Sequence, residues 1–324
     1  MRRVTEYDWW TWCRRNLLWP VALPLGLAAM AASLLVLTAG PATAARVPSG
    51  RLAPPSQPYT VEFGLGAPVI EASTAFVVDA DTGVVLYSNH PDVERAMASC
   101  TKIMTALVAV QHGALSQTVT IGADAAALVN PDNSYMGVSQ GEKLTLDDLL
   151  YGLLLPSGND AAVAIADAIG GNQAQFVAMM NQEAAALGLT HTHFADPHGL
   201  DAPRHYTTAR DLTELAVVAL HNPTIAKIAA TLHHAIPPSA THKGFFLTNY
   251  NSLLPGARTP YPGAIGFKPG NTGDAGWCEA FAARRDGHLV IGVVLNDPTW
   301  TQRNIDMHAL LDWGFAQLNV PPAG

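Results

Sequence analysis

Two short stretches far apart in the chain carry apolar residues on either side of an Asp- and Gly-containing turn, and nearly everything between them reads as helix. Residues 73–89, "STAFVVDADTGVVLYSN", place Phe76, Val78, Val84 and Leu86 on either side of an Asp81-Thr82-Gly83 turn, which predicts a β-hairpin. Residues 278–295, "CEAFAARRDGHLVIGVVL", predict a second hairpin turning at Asp286-Gly287. After Lys102, the residues Ile103, Leu107 and Val110 recur at the spacing of a buried helix face, and Gly113 offers a stop. A helix is therefore expected to begin near Ser99. Thr145 with Asp148, and Thr208 with Asp211, read as capped helix starts, and residues 304–318 predict a closing amphipathic helix. A hairpin alone cannot bury its apolar face. Two hairpins far apart in sequence do so by pairing into one antiparallel sheet covered by helices, so the expectation is an α+β or α/β domain whose end strands enclose a helical middle.

The first 45 residues break this pattern. Arg2, Arg3, Arg14 and Arg15 precede an apolar run at 17–38, and Ala42-Thr43-Ala44 supplies the small residues of a cleavage site. That reads as a signal peptide or, because the run is long enough to span a bilayer, an N-terminal membrane anchor; either one exports the remainder of the chain. Residues 46–70 are rich in Pro, Ser and Gly and read as a spacer, and 71–320 as one folded domain. The whole chain of 324 residues has a net charge of -8. The leader's four Arg against Glu6 and Asp8 leave the exported part at about -10, which excludes nucleic acid as a partner. Only Cys100 and Cys278 lie beyond the leader, too few for a disulfide framework, and they are expected as free buried thiols rather than a bridge.

The chemistry concentrates in three places. In "ASCTKIMTALVAV" a serine, a cysteine and a threonine precede Lys102. Residues three apart share a helix face, so Ser99 meets Lys102, whereas Cys100 points elsewhere. A lysine desolvated beside a serine loses affinity for its proton and becomes the base that the hydroxyl needs. The second place is Ser157-Gly158-Asn159, in a break after Pro156 between two helical runs; the third is Lys268-Pro269-Gly270, on a strand edge before a glycine-rich turn. Ser-x-x-Lys occurs often by chance, but this order of three motifs does not.

With these residues the chain resembles the serine-type D-alanyl-D-alanine carboxypeptidases, the low-molecular-mass penicillin-binding proteins of the β-lactamase/transpeptidase-like superfamily. The resemblance runs from about residue 73 to 315 through "DADTGVVLYSN", "SCTKIMTALVA", "LTLDDLLYGLLLPSGNDAAVAIAD", "THFADPHGLD", "YTTARDL" and "GNTGDAGWC". It implies a central antiparallel sheet with helices on both faces and a helical subdomain, the active site lying between sheet and subdomain. It further implies that Ser99 attacks the D-alanyl-D-alanine carbonyl and Lys102 takes its proton. Ser157 and Asn159 would relay protons and orient substrate, and Lys268 would bind the terminal carboxylate. Beside it lie Gly270, Asn271 and Thr272. The backbone N–H groups of Ser99 and Asn271 would form the oxyanion hole. The implied substrate is the peptidoglycan stem peptide, with β-lactams as inhibitors and neither metal nor cofactor, in an extracytoplasmic, cell-wall-facing enzyme.

Several positions depart from the family. Pro269 stands where Thr is usual, removing a hydroxyl and an N–H, and Thr272 is expected to offer a replacement hydroxyl; Met97, Cys100 and Asp196 are smaller differences. Pro269 also motivates a different class of reading, a cell-wall or penicillin-binding protein with impaired turnover. A D,D-endopeptidase remains an alternative, while a class A β-lactamase would need a Glu-x-x-Leu-Asn phrase that the chain lacks. His191, His193, His198 and His205, and the pair His233-His234, lack flanking ligands at zinc-site spacing.

Overall fold

The computed structural model describes residues 66–322; the leader expected at 1–45 and the spacer as far as residue 65 lie outside the described residues. The strands in chain order are β1 (Thr74–Asp79), β2 (Val85–Asn89), β3 (Thr118–Thr120), β4 (Lys143–Thr145), β5 (His233–Ile236), β6 (Phe245–Thr248), β7 (Ala264–Thr272), β8 (Gly276–Arg285) and β9 (His288–Asp297). The helices are α1 (Lys102–His112), α2 (Ala123–Ala127), α3 (Leu146–Leu154), α4 (Asn159–Gly170), α5 (Gln173–Leu187), α6 (Ala209–Leu220), α7 (Pro223–Ala229) and α8 (Trp300–Gln317). A 3-10 turn, Ala98–Thr101, precedes α1.

The two predicted hairpins pair with each other. The central sheet runs β2-β1-β9-β8-β7 and every neighbouring pair is antiparallel. Its strands alternate between two cores. Ala75, Val77, Phe281, Ala283, Val290 and Val294 face one, closed by Met307, Leu310, Leu311 and Phe315 of α8. Phe76, Val78, Ala280, Ala282, Ile291 and Val293 face the other, a larger core shared with the helical middle. A slip of one residue would exchange these two sets, so two covered faces fix the register. Burial on both faces also explains why "LVIGVVL" of β9 reads as a continuous apolar run rather than an alternating one. Between β8 and β9, Asp286 and Gly287 both have positive φ, at 46° and 88°, the geometry whose twist matches the flanking strands.

In the larger core α1 is central, with every residue from Lys102 to Ala109 buried. Thr145 and Asp148 form the reciprocal cap expected at α3, and the Thr208 side chain accepts from the Asp211 N–H at α6. The stretch between the hairpins is less helical than the sequence predicts. It contains two small two-stranded sheets, β3-β4 and β5-β6, whose strands of three or four residues are too short to display a period. Cys100 and Cys278 are both free and buried. Among the described residues no helix is long and apolar enough to cross a membrane.

At the end of β9, Asp297 lies near Asp306 of α8, whose carboxylate accepts the N–H groups of Glu71 and Ala72 at 2.7 and 2.9 Å where the chain enters the domain. Burial, reinforced by the Asp306 charge, pushes Asp297 up to about 8. An acid whose folded pKa exceeds its unfolded value of about 3.9 binds a proton in the native state that the unfolded chain has released. Its contribution to stability therefore falls as pH rises from about 4 to about 8. Asp297→Asn, locked in a neutral form, should be more stable than the parent at pH 8 and lose that advantage towards pH 4. Thermal unfolding midpoints of both proteins across that range check this; parallel curves would overturn it.

Candidate active site

The site forms where the 3-10 turn is pressed against edge strand β7. Gly270 permits the approach: a Cβ there would sit 2.8 Å from the Ser99 backbone nitrogen and 2.9 Å from the Ala98 Cβ. From the turn, Cys100 donates its S–H to the Lys268 carbonyl at 3.3 Å, so the thiol secures the turn to β7. Burial pushes that thiol up to about 11, which removes it as a competing nucleophile. Ala98, just before the serine, has φ +48°, a left-handed conformation costly for a residue with a Cβ.

Lys102, the first residue of α1, is fully buried. Its Nζ lies 2.9 Å from Ser99 Oγ, 2.7 Å from Asn159 Oδ1 and 2.5 Å from the His198 carbonyl. The count matters. A neutral amine has two protons and one lone pair; the amide and carbonyl oxygens can only accept, so they take the two protons and the lone pair is left for the Ser99 hydroxyl. Burial, with the nearby Lys268 charge added, holds Lys102 well below the ordinary lysine range, so the neutral form is accessible.

The Asn159 partner is fixed from behind. Asn159 opens α4, its N–H donates to the Ser134 carbonyl at 2.8 Å and its amide nitrogen to Asn133 Oδ1 at 3.2 Å. The adjacent Asp160 is fully buried and accepts the N–H groups of Met136, Gly137 and Val138 at 2.7–3.1 Å, tying that loop to the start of α4. Nothing in the sequence pattern singles out Asp160 beyond its position after the serine motif. Ser157 lies beside Asn159 with φ +62°, buried, and its Oγ has no hydrogen-bond partner among the described groups. A strained backbone carrying an unpaired buried hydroxyl is a pattern found where a ligand completes the bonding.

Lys268 is fully buried on β7; burial pushes its amine down to about 8, and it donates to the Pro269 carbonyl at 2.9 Å. Across the ladder Pro269 pairs with Glu279, itself buried and 3.1 Å from Arg303. Proline sits here on the edge of the sheet, where it is tolerated. Two expected contributors lie further out. The Asn271 side chain is exposed and donates to the Gly276 carbonyl at 3.1 Å. The Thr272 hydroxyl gives its proton to Asp201 of the loop between α5 and α6 at 2.5 Å, so it is engaged there rather than held free as a replacement for the hydroxyl that Pro269 lacks.

A buried serine–lysine pair at a helix start, with a second serine and a second lysine beside it, on an antiparallel sheet packed between helices, is the arrangement of a serine hydrolase. The family model described as D-alanyl-D-alanine carboxypeptidase, of peptidase family S11, matches residues 62–299, and the chain belongs to that family. D-alanyl-D-alanine carboxypeptidase DacF of Bacillus subtilis is 35% identical over 257 residues, 78% of this chain and 64% of its own length, so the chain spans somewhat under two thirds of that relative. A D-alanyl-D-alanine carboxypeptidase of Streptomyces is 37% identical over 265 residues, 77% of this chain and 89% of that one. Among solved structures, a Streptomyces DD-transpeptidase superposes with a TM-score of 0.72 at 35% identity, covering 77% of this chain and 99% of that one. A D-alanyl-D-alanine carboxypeptidase from Mycobacterium tuberculosis superposes with 0.70 at 35% identity, covering 78% and 95%.

Gly270→Ala tests the contact between β7 and the turn. The added Cβ meets backbone atoms, so either the strand or Ser99 must move, and displacements approaching 1 Å cost on the order of a hundredfold in rate. The first-order acylation rate of the folded protein with a β-lactam should fall at least about tenfold, and the thermal midpoint should fall as well because the clash is with backbone. An unchanged rate would show that the fit is looser than these distances imply.

Proposed function

We propose that the chain removes the terminal D-alanine from peptidoglycan stem peptides through an acyl-enzyme on Ser99. The observation that carries this reading is the bonding of Lys102, whose two acceptor partners leave its lone pair facing the Ser99 hydroxyl. Ser99 Oγ attacks the carbonyl of the penultimate D-alanine as its proton passes to Lys102 Nζ. The oxyanion draws on the N–H groups of Ser99, at the start of a helical segment, and of Asn271. As the C–N bond breaks, the leaving amine takes a proton through Ser157, whose free hydroxyl fits a relay. Water then enters, gives a proton back along the same route and releases the shortened peptide, regenerating Ser99. Lys268 in its charged form pairs with the terminal carboxylate. β-Lactams, read as analogues of the same peptide, are expected to acylate the same serine.

Export supports the setting. The basic-then-apolar start of the chain reads as a leader that places the domain on the cell-wall side, where such peptides are found, with residues 1–45 as the anchor if they are retained.

Peptide mapping after incubation with penicillin should find the adduct on Ser99. Ser99→Ala should not label, and Lys102→Met, which keeps the buried volume but removes the proton acceptor, should acylate far more slowly. Label on Cys100, or full labelling of Ser99→Ala, would overturn the assignment.

Pro269 is expected to weaken carboxylate recognition without ending turnover. Pro269→Thr would restore one charge-assisted hydrogen bond, worth about 1.5 to 3 kcal/mol when fully formed. On a substrate with a free C-terminal carboxylate kcat/KM should rise, by roughly tenfold for about 1.4 kcal/mol, while an ester or amide-capped analogue should change little. Equal gains on both substrates would show that the proline acts through strand geometry. No hydrolysis by either protein would favour a binding protein with impaired turnover.

A further inference from the structure

The histidine side chains around 191–205 supply no proton-transfer group to the serine–lysine pair, yet one of them closes a chain of hydrogen bonds onto the nucleophile turn. The backbone N–H of Ala195 donates to His205 Nδ1 at 3.0 Å. That nitrogen must therefore be bare, and the ring proton sits on Nε2. Nε2 is 2.7 Å from Thr101 Oγ1, and the Thr101 hydroxyl, having accepted there, donates to the Ala98 carbonyl at 2.8 Å. Each donor meets an acceptor in one direction only. The chain ends on the peptide between Ala98, at φ +48°, and Ser99. Gly199 lets the loop close over it: a Cβ at Gly199 would lie 2.0 Å from the Ala98 oxygen and 2.9 Å from Thr101 Oγ1.

The same loop holds the other half of the pair. Asp196 accepts the N–H groups of His198 and Gly199 at 2.9 and 2.6 Å, and the His198 carbonyl so oriented is the one bound by Lys102. One loop thus reaches both the lysine and the strained turn.

We propose that His205, in its neutral Nε2–H form, is a positioning residue that acts through Thr101 to lock the strained Ala98–Ser99 peptide and aim the serine at Lys102. The inference rests on the reading of Ser99 as the nucleophile. The groups that face the ring are the Asp196 carboxylate, 3.8 Å from Nδ1, the side chains of His198, His193 and Asp201, and Thr101. Burial holds His205 below the ordinary histidine range; Asp196 and Asp201 oppose that shift and the two histidines add to it. A proton on Nδ1 would confront the Ala195 N–H, so the lock holds at neutral pH and opens in acid.

Thr101→Val keeps the shape and removes the hydroxyl. Its first-order acylation rate with penicillin should fall at least tenfold at neutral pH, with the half-saturating concentration unchanged, and Thr101→Ser should recover most of the loss. His205→Gln keeps a donor without titrating; it should acylate faster than His205→Phe, and the acid limb of its rate profile should move to lower pH. Wild-type rates in Thr101→Val with the adduct still on Ser99 would overturn the positioning role alone. An adduct elsewhere would overturn the nucleophile reading first. If Thr101→Val does not fold, the acid limb of His205→Gln decides: a limb identical to wild type overturns the proposal.

Discussion

A buried amine held among three oxygens constrains the rest of this molecule. Lys102 is enclosed, and an amine in that position needs each of its bonding directions answered in both protonation states. The three oxygens around it do that. When charged, the amine donates to all three; when neutral, it donates to Asn159 and His198 and accepts from Ser99. Those oxygens come from three separate segments, so the elements that carry them must hold them to within fractions of an ångström. Asp160 does so for the segment around Asn159, Asp196 for His198, and the β7 contact for Ser99.

The sheet supplies the rigid reference for this arrangement. Because both faces are buried, its register cannot slip without exchanging two cores, and β7 is held in place at the edge. An edge strand has one side unpaired by neighbouring strands. Here that side meets the 3-10 turn, with Gly270 removing the side chain that would hold it off. The central helix α1 then leads away from the turn into the larger core, so the serine and lysine sit at the junction of a rigid sheet and a rigid helical body.

Strained backbone and an unpaired buried hydroxyl both occur at that junction. Ala98 and Ser157, both with positive φ, lie within a few residues of the groups that do chemistry, and Ser157 carries a buried hydroxyl without a partner. Surrounding structure over-determines each: Thr101 and Gly199 at Ala98, and the close approach of Gly158 to the Gly152 carbonyl and the Met136 nitrogen next to Ser157. The proline at position 269 is carried because it lies on the edge strand of the sheet.

By itself the sequence determined the pieces that depend on spacing along the chain. Apolar runs broken by Asp- and Gly-containing turns marked the end hairpins, the 1-4 spacing of Ser99 and Lys102 put both on one helix face, and the Thr145 and Thr208 caps came from residues three apart. The order of the three motifs identified the kind of site. Local rules suffice there, because each rests on the geometry of a single helix or strand. What the tertiary structure alone decided is which groups from distant segments meet. The His198 carbonyl is 96 residues from Lys102, Asn159 is 57, and His205 is 104 from Thr101. No periodicity records such meetings, since they depend on where loops cross after the cores have packed. The same holds for the commitment of Thr272 to Asp201 and for the raised Asp297: a carboxylate's partners and its burial are properties of the packed chain, not of its neighbours in sequence.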